Sequence, residues 1–123
     1  MDITKPEVDF PEGPAPTALE ITDIWDGNGK VASAGDTVEV HYVGVAYSTG
    51  EEFDASWSRG EPLSFRLGVG QVIEGWDKGV QGMKVGGRRK LVIPPSMGYG
   101  DRGAGRQIKG GETLIFVCDL VSA

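Results

Sequence analysis

The chain has 123 residues, 39% of them hydrophobic and 24% charged, the balance of one globular domain and not of a disordered chain. Glycine supplies 20 positions, roughly twice the ~7% average, which implies many turns and close backbone approaches and argues against a helical bundle. The net charge of -6 is uneven, with thirteen acids against three bases through Glu61 and five against nine from Pro62 onward; the basic second half raises nucleic acid as a partner, but the overall acidity and the lack of an RNA-stacking aromatic motif set no nucleic acid as the expectation.

Residues 1–17 hold four of the seven prolines, Pro6, Pro11, Pro14 and Pro16, with few apolar groups between them. They read as an extended, poorly ordered extension before a domain over residues 18–123. An acidic start without a basic or apolar leader is not a secretory signal, and no stretch approaches the ~20 apolar residues of a membrane span, so a cytoplasmic location and no membrane partner are expected. Leu19-Glu20-Ile21-Thr22 alternates as a half-buried strand does, and Asp26-Gly27-Asn28-Gly29 supplies turn chemistry. The clearest strand covers residues 37–46, with Val38, Val40 and Tyr42 on one face and Glu39 and His41 on the other.

A turn at Ser48-Thr49-Gly50 leads into a short strand over residues 52–54, and Leu63, Phe65 and Leu67 alternate again. Ile73, Trp76 and Val80 then fall on one face of a short helix within residues 72–80. Gly75 and Gly79 each weaken that helix by about 1 kcal/mol, so packing must hold it. Residues 90–93 form a strand stopped by Pro94-Pro95, residues 97–111 a glycine-rich loop, and Leu114, Phe116, Cys118 and Leu120 share one face of a last strand. Several strands with a single helix give an α+β fold with an antiparallel sheet, because parallel strands would need a helical crossover between each pair.

The residues offer little to covalent chemistry. His41 is the sole histidine and reads as a solvent-facing strand residue; Cys118, the sole cysteine, alternates with core positions and reads as a buried small hydrophobe. No metal and no cofactor are expected, since no histidine-cysteine cluster exists. Gly98-Tyr99-Gly100-Asp101-Arg102-Gly103 matches GxGxxG but leads into no helical pattern, so it is not read as a dinucleotide site. Glu51 and Glu52 are adjacent and would point to opposite faces of a strand. What remains is a set of aromatic and aliphatic groups with Asp54 directly after Phe53.

Four blocks carry a resemblance: Val40-His41-Tyr42-Val43-Gly44, Phe53-Asp54-Ala55-Ser56, the run from Val72 through Gly75-Trp76-Asp77-Lys78-Gly79 to Val80, and Gly98-Tyr99-Gly100, with Thr113-Leu114-Ile115-Phe116 after them. In this order, from about Ala18 onward, the chain resembles small single-domain bacterial members of the FKBP-type peptidyl-prolyl cis/trans isomerases, the macrolide-binding immunophilins. The resemblance implies a twisted antiparallel sheet wrapped around one short helix. It also implies an apolar pocket that takes the proline ring of a polypeptide substrate, or a macrolide such as tacrolimus or rapamycin, in a monomer that assists protein folding. By motif position Trp76 is the floor, Tyr42, Phe53, Leu63, Val72, Ile73 and Phe116 are walls, Tyr99 is the rim, and Ile108 lies in a loop over the pocket. The Tyr99 hydroxyl and the Ile73 N–H are implied partners of substrate carbonyls. Asp54 is implied beside the twisting amide, with Tyr99 and Arg59 holding it.

Two positions depart from the family pattern. Leu63 stands where many members carry phenylalanine, which thins one wall. The loop reads Gly103-Ala104-Gly105-Arg106-Gln107-Ile108-Lys109-Gly110-Gly111 in place of a segment with histidine and prolines, so a looser grip on the residue before proline is expected. A non-catalytic binding or chaperone module on the same fold is the competing reading. Asp54, Tyr99, Trp76 and Phe116, and the lack of a large insertion between Phe65 and Met97, favour the enzyme.

Overall fold

The alternation of Val38, Val40 and Tyr42 with Glu39 and His41 does what a period of two requires. In a computed structural model, which describes residues 4–8, 13–105 and 108–123, strand β2 spans Thr37–Ala46 and turns the first three side chains into the core. The others follow in chain order: β1 (Glu20–Trp25) before it, then β3 (Glu52–Ala55), β4 (Leu63–Arg66), the helix α1 (Glu74–Gly79), β5 (Arg88–Ile93) and β6 (Leu114–Ser122). The sheet is antiparallel throughout, ordered β1-β5-β6-β2-β3, with β4 also on β2. The α+β architecture expected from the sequence is therefore the one observed. Among the described residues no helix is long and apolar enough to cross a membrane.

One edge of β2 is divided. Thr37 to Val40 pair with β4, and Val43 to Val45 pair with β3. Between them, the Tyr42 N–H donates to Ser56 Oγ at 2.7 Å, from a 3-10 turn at Ser56–Arg59. Ser56 is fully buried, so its hydroxyl takes over a backbone donor that the ladder leaves free.

Helix α1 lies on β5 at close range because of the two glycines that weaken it. A Cβ on Gly75 would meet Ile93 at 2.6 Å, and one on Gly79 would meet Leu91 at 2.7 Å. The helix is shorter than the sequence predicts: Ile73, at φ -59° and ψ 151°, stays extended before it. Trp76 and Val80 are thereby buried with Leu91, Ile93, Leu114, Phe116, Cys118 and Leu120 in the inner core. Burial pushes the Cys118 thiol well above its usual range, with Asp119 adding to the shift.

Two readings change. His41 is half-buried and not solvent-facing: its ring stacks on Trp57 with centroids 4.2 Å apart, and Nδ1 lies 2.8 Å from Ser56 Oγ. Strand β5 begins at Arg88, two residues earlier than expected, because its charges have partners. Arg88 Nε donates to both oxygens of buried Asp119, at 2.9 and 3.0 Å, and Arg89 Nε donates to Asp23 at 2.7 Å. The sheet's outer face is also apolar, with Val43, Val45, Ala55, Val92 and Ile115 forming a second buried cluster. Residues 4–8 and 13–17 form no helix or strand and lie against this face. Pro11, Arg106 and Gln107 fall outside the described residues.

Candidate active site

The inner face of the sheet and the start of α1 enclose a cavity of about 410 Å³ lined by Tyr42, Phe53, Asp54, Leu63, Gln71, Val72, Ile73, Trp76, Tyr99 and Phe116. They come from several separate stretches of chain, brought together by the pairing just described. β2 supplies Tyr42, β3 supplies Phe53 and Asp54, β4 supplies Leu63, α1 supplies Trp76, and β6 supplies Phe116.

Edge-to-face contacts set the shape. The Trp76 ring stands at 81° to Tyr42 with centroids 4.9 Å apart, and at 89° to Phe116 with centroids 5.2 Å apart. Phe53 meets Phe116 at 90° and 5.6 Å. Such perpendicular pairs place a positive ring edge on a negative ring face, which adds about 0.5–1.5 kcal/mol to simple burial. Gly44 makes the Phe53–Phe116 contact possible, since a Cβ there would come within 2.7 Å of both rings. Trp76 Nε1 is buried with no hydrogen-bond acceptor among the described residues. Trp57 Nε1, packed on the outer cluster, is likewise without an acceptor among the described residues, so this feature does not by itself mark the cavity.

The polar side of the cavity is a closed triangle. Tyr42 donates its hydroxyl to Asp54 Oδ2 at 2.5 Å, Arg59 Nη1 donates to Asp54 Oδ1 at 2.9 Å, and Arg59 Nη2 donates to the Tyr42 hydroxyl at 2.8 Å. Burial raises the Tyr42 pKa above its ordinary 10.0, the bond to Asp54 raises it further, and Arg59 opposes both. The bond to Tyr42 raises Arg59 in turn. Tyr99 is also raised above 10.0, first by burial and then by the nearby Asp54 charge. Both phenols are therefore neutral donors at ordinary pH.

Ten of the residues singled out from the sequence meet at or beside this cavity: nine line it, and Arg59 reaches it through Asp54 and Tyr42. Ile108 packs into the inner core, where it closes a small bridge with Ala104. Arg59 holds Asp54 as expected, but the phenol bonded to it is that of Tyr42, not Tyr99. Tyr99 has no side-chain hydrogen bond among the described residues, and the residue is 39% exposed. Gln71 was not anticipated. Its Oε1 accepts the Arg66 N–H at 2.8 Å, pinning the segment that carries Val72 and Ile73; its only sequence signal was its place directly before Val72. The Ile73 N–H makes no hydrogen bond among the described residues.

Comparison with known proteins places this arrangement. The chain is 72% identical to the FK506-binding protein of Streptomyces anulatus, with 99% of each chain covered. It is 53% identical to the probable FK506-binding protein of Corynebacterium glutamicum, covering 97% of this chain and 98% of that one. The crystal structure of AtFKBP13 superposes with a TM-score of 0.80 at 40% identity, over 89% of this chain and 96% of that one. FkpA from Escherichia coli superposes with a TM-score of 0.77 at 43% identity, over 85% of this chain, which spans about half of FkpA (47%). Residues 29–121 match the family described as FKBP-type peptidyl-prolyl cis-trans isomerase; with that match and these identities, the chain belongs to the FKBP-type peptidyl-prolyl cis-trans isomerases.

Proposed function

We propose that the cavity takes the proline ring of an X-Pro segment in a polypeptide and lowers the barrier to rotation about the preceding peptide bond, by binding its twisted form without covalent chemistry. The observation that carries this is the convergence of five aromatic rings, Tyr42, Phe53, Trp76, Tyr99 and Phe116, on one cavity that holds a single carboxylate, Asp54.

The barrier is about 18–20 kcal/mol and comes from amide resonance. A planar amide separates charge, which water stabilises; a twisted one separates less. Transfer into an aromatic cavity therefore costs the planar form more than the twisted form, and the difference appears as rate. In this reading Trp76 is the platform under the ring, with Phe53, Val72, Phe116 and the shorter Leu63 around it. The Tyr99 phenol and the Ile73 N–H, both without a protein acceptor among the described residues, hold substrate carbonyls on either side. Asp54 faces the rotating amide as a fixed partial charge. Its tie to Tyr42 and Arg59 supports a positioning and polarising role over one as nucleophile.

The same cavity receives macrolides, as the names of the two bacterial relatives suggest for those proteins. We place the protein in the cytoplasm as a monomer that assists proline-limited folding; a lone, fully buried cysteine suits a reducing compartment. The test is cis-to-trans conversion of short X-Pro peptides by the wild type and Asp54→Ala, with and without rapamycin. Acceleration that rapamycin blocks and Asp54→Ala reduces supports the proposal. Rapamycin binding without acceleration would replace it with a binding module.

A further inference from the structure

The outer face of an antiparallel sheet is ordinarily solvated and polar. Here Val43, Val45, Val92 and Ile115 on that face are only 2, 3, 7 and 1% exposed. What lies against them is the chain's own segment before β1. We infer that this outer face is a binding surface for an extended, proline-bearing segment, held in cis by residues 4–8 and 13–17, and that releasing this strap makes the face adhere to a second copy of the chain.

The seat is built from several independent contacts. Val8 packs on the outer cluster, and residues 5–8 share a groove with Val43, Val45, Gly50 and Glu52. Lys5 Nζ pairs with Glu52 Oε1 at 2.9 Å. The carbonyl of Thr4 accepts Arg88 Nη2 at 2.7 Å, and the Tyr47 hydroxyl lies 3.3 Å from the carbonyl of Gly13 and 3.2 Å from that of Pro14. Pro14 to Thr17 then lie along Tyr47, Lys90, Val92 and Ile115.

The surface thus reads carbonyls with side-chain donors, and a strap containing prolines suits this. Proline has no N–H to leave unmet against a sheet face, and its fixed φ reduces the entropy lost on seating. Arg88 is the fixed point. Only 7% exposed, it is locked by Asp119 and lies with Cζ 4.3 Å from the centroid of the Trp25 ring, so the donor offered to Thr4 is held before the strap arrives. Without the strap, Val43, Val45, Val92 and Ile115 would lose the cover that residues 5–8 and 14–17 give them, leaving an apolar surface that soluble proteins rarely leave open. A second copy carries the same strap and the same patch, so exchange or face-to-face pairing is the natural outcome of release.

The test uses the full chain. In the wild type, nuclear Overhauser contacts should connect the Val8 methyls with those of Val43 and Val45, and a mixture of labelled and unlabelled copies should show them within one copy only. Their absence overturns the inference, and their appearance between copies overturns the placement in cis. In full-length Val8→Asp the contacts should be lost, and the sedimentation coefficient should rise with concentration well beyond that of the wild type. An excess of synthetic peptide spanning residues 1–17 should bind this variant and reverse the association. A folded Val8→Asp that sediments as the wild type does and ignores the peptide would show that the face is not a binding surface. If the variant does not fold, the wild-type contacts decide alone.

Discussion

Tyr42 donates its hydroxyl to Asp54 across 2.5 Å, although they stand twelve positions apart in the chain. The bond fixes the one carboxylate that lines the cavity, and Arg59 closes the arrangement from the other side. The cavity therefore holds a charge whose position is set by two neighbours before any ligand arrives, which is the condition for electrostatic preorganisation.

Asp54→Ala should lower kcat/KM for X-Pro peptides by about one order of magnitude, a loss of about 1.4 kcal/mol. Tyr42→Phe keeps the ring and removes the tether, so its loss should be smaller. The double variant should fall short of the sum of the two, since both act on one group. Strict additivity in that cycle would mean that Tyr42 acts on the substrate by itself and not through Asp54.

The phenols set the response to alkali. Tyr42 and Tyr99 both have folded pKa values above the ordinary 10.0. A raised folded value favours the neutral form, so the stability it gives is fully present below the unfolded pKa and is lost as pH rises through the folded values. Activity should be flat from about pH 6 to about pH 9 and decline beyond about pH 10, with Tyr99→Phe removing part of the decline. A pH–rate profile with a limb near neutrality would contradict this.

Arg88→Met should destabilise the fold by about 3–5 kcal/mol, because it leaves a buried carboxylate without its cation. Asp119 is 2% exposed and its pKa is already raised by burial despite Arg88. A carboxylate raised in the folded state destabilises as it ionises, so the deficit of the variant should be largest at neutral pH and shrink as pH falls through the raised value. Urea unfolding of both proteins at several pH values measures it.

Gly75→Ala should destabilise despite removing a helix-breaking residue. The gain in propensity is about 1 kcal/mol, whereas overpacking costs about 1–3 kcal/mol, and here the new Cβ would meet three atoms of Ile93 at 2.6 to 2.7 Å. A rise in Tm would mean that α1 can move away from β5 at little cost.

Leu63→Phe should tighten macrolide binding. It adds roughly two buried carbons of contact at about 0.8 kcal/mol each, or roughly tenfold in Kd. Unchanged affinity by calorimetry would show that this wall does not limit the fit.

The sequence carried the sheet where side chains alternate and lost it where tertiary partners decide. β2 was legible to the residue because Val38, Val40 and Tyr42 alternate with polar neighbours and a turn follows. The start of β5 was not, because Arg88 and Arg89 look like loop charges until Asp119 and Asp23 stand opposite them. The cavity lining was legible through motif order, but the choice of Tyr42 over Tyr99 as the partner of Asp54 depends on chain path alone. The outer apolar face was invisible for a related reason: Ile115 and Val117 interleave with the inner residues of β6, and nothing in the pattern says that both sides are covered.

The divided edge of β2 has a further consequence. An uninterrupted neighbour along that edge would lay backbone across His41 and Tyr42 and seal the sheet. The change of partner from β4 to β3 leaves a gap two residues wide in the ladder, and the 3-10 turn fills it, with Ser56 on the Tyr42 N–H and Trp57 on the His41 ring. The same turn carries Arg59 to Asp54 and Tyr42, so the length of chain between β3 and β4 works as a spacer for the polar side of the cavity. Insertions or deletions there should shift Arg59 relative to Asp54 while leaving the packed core beneath untouched.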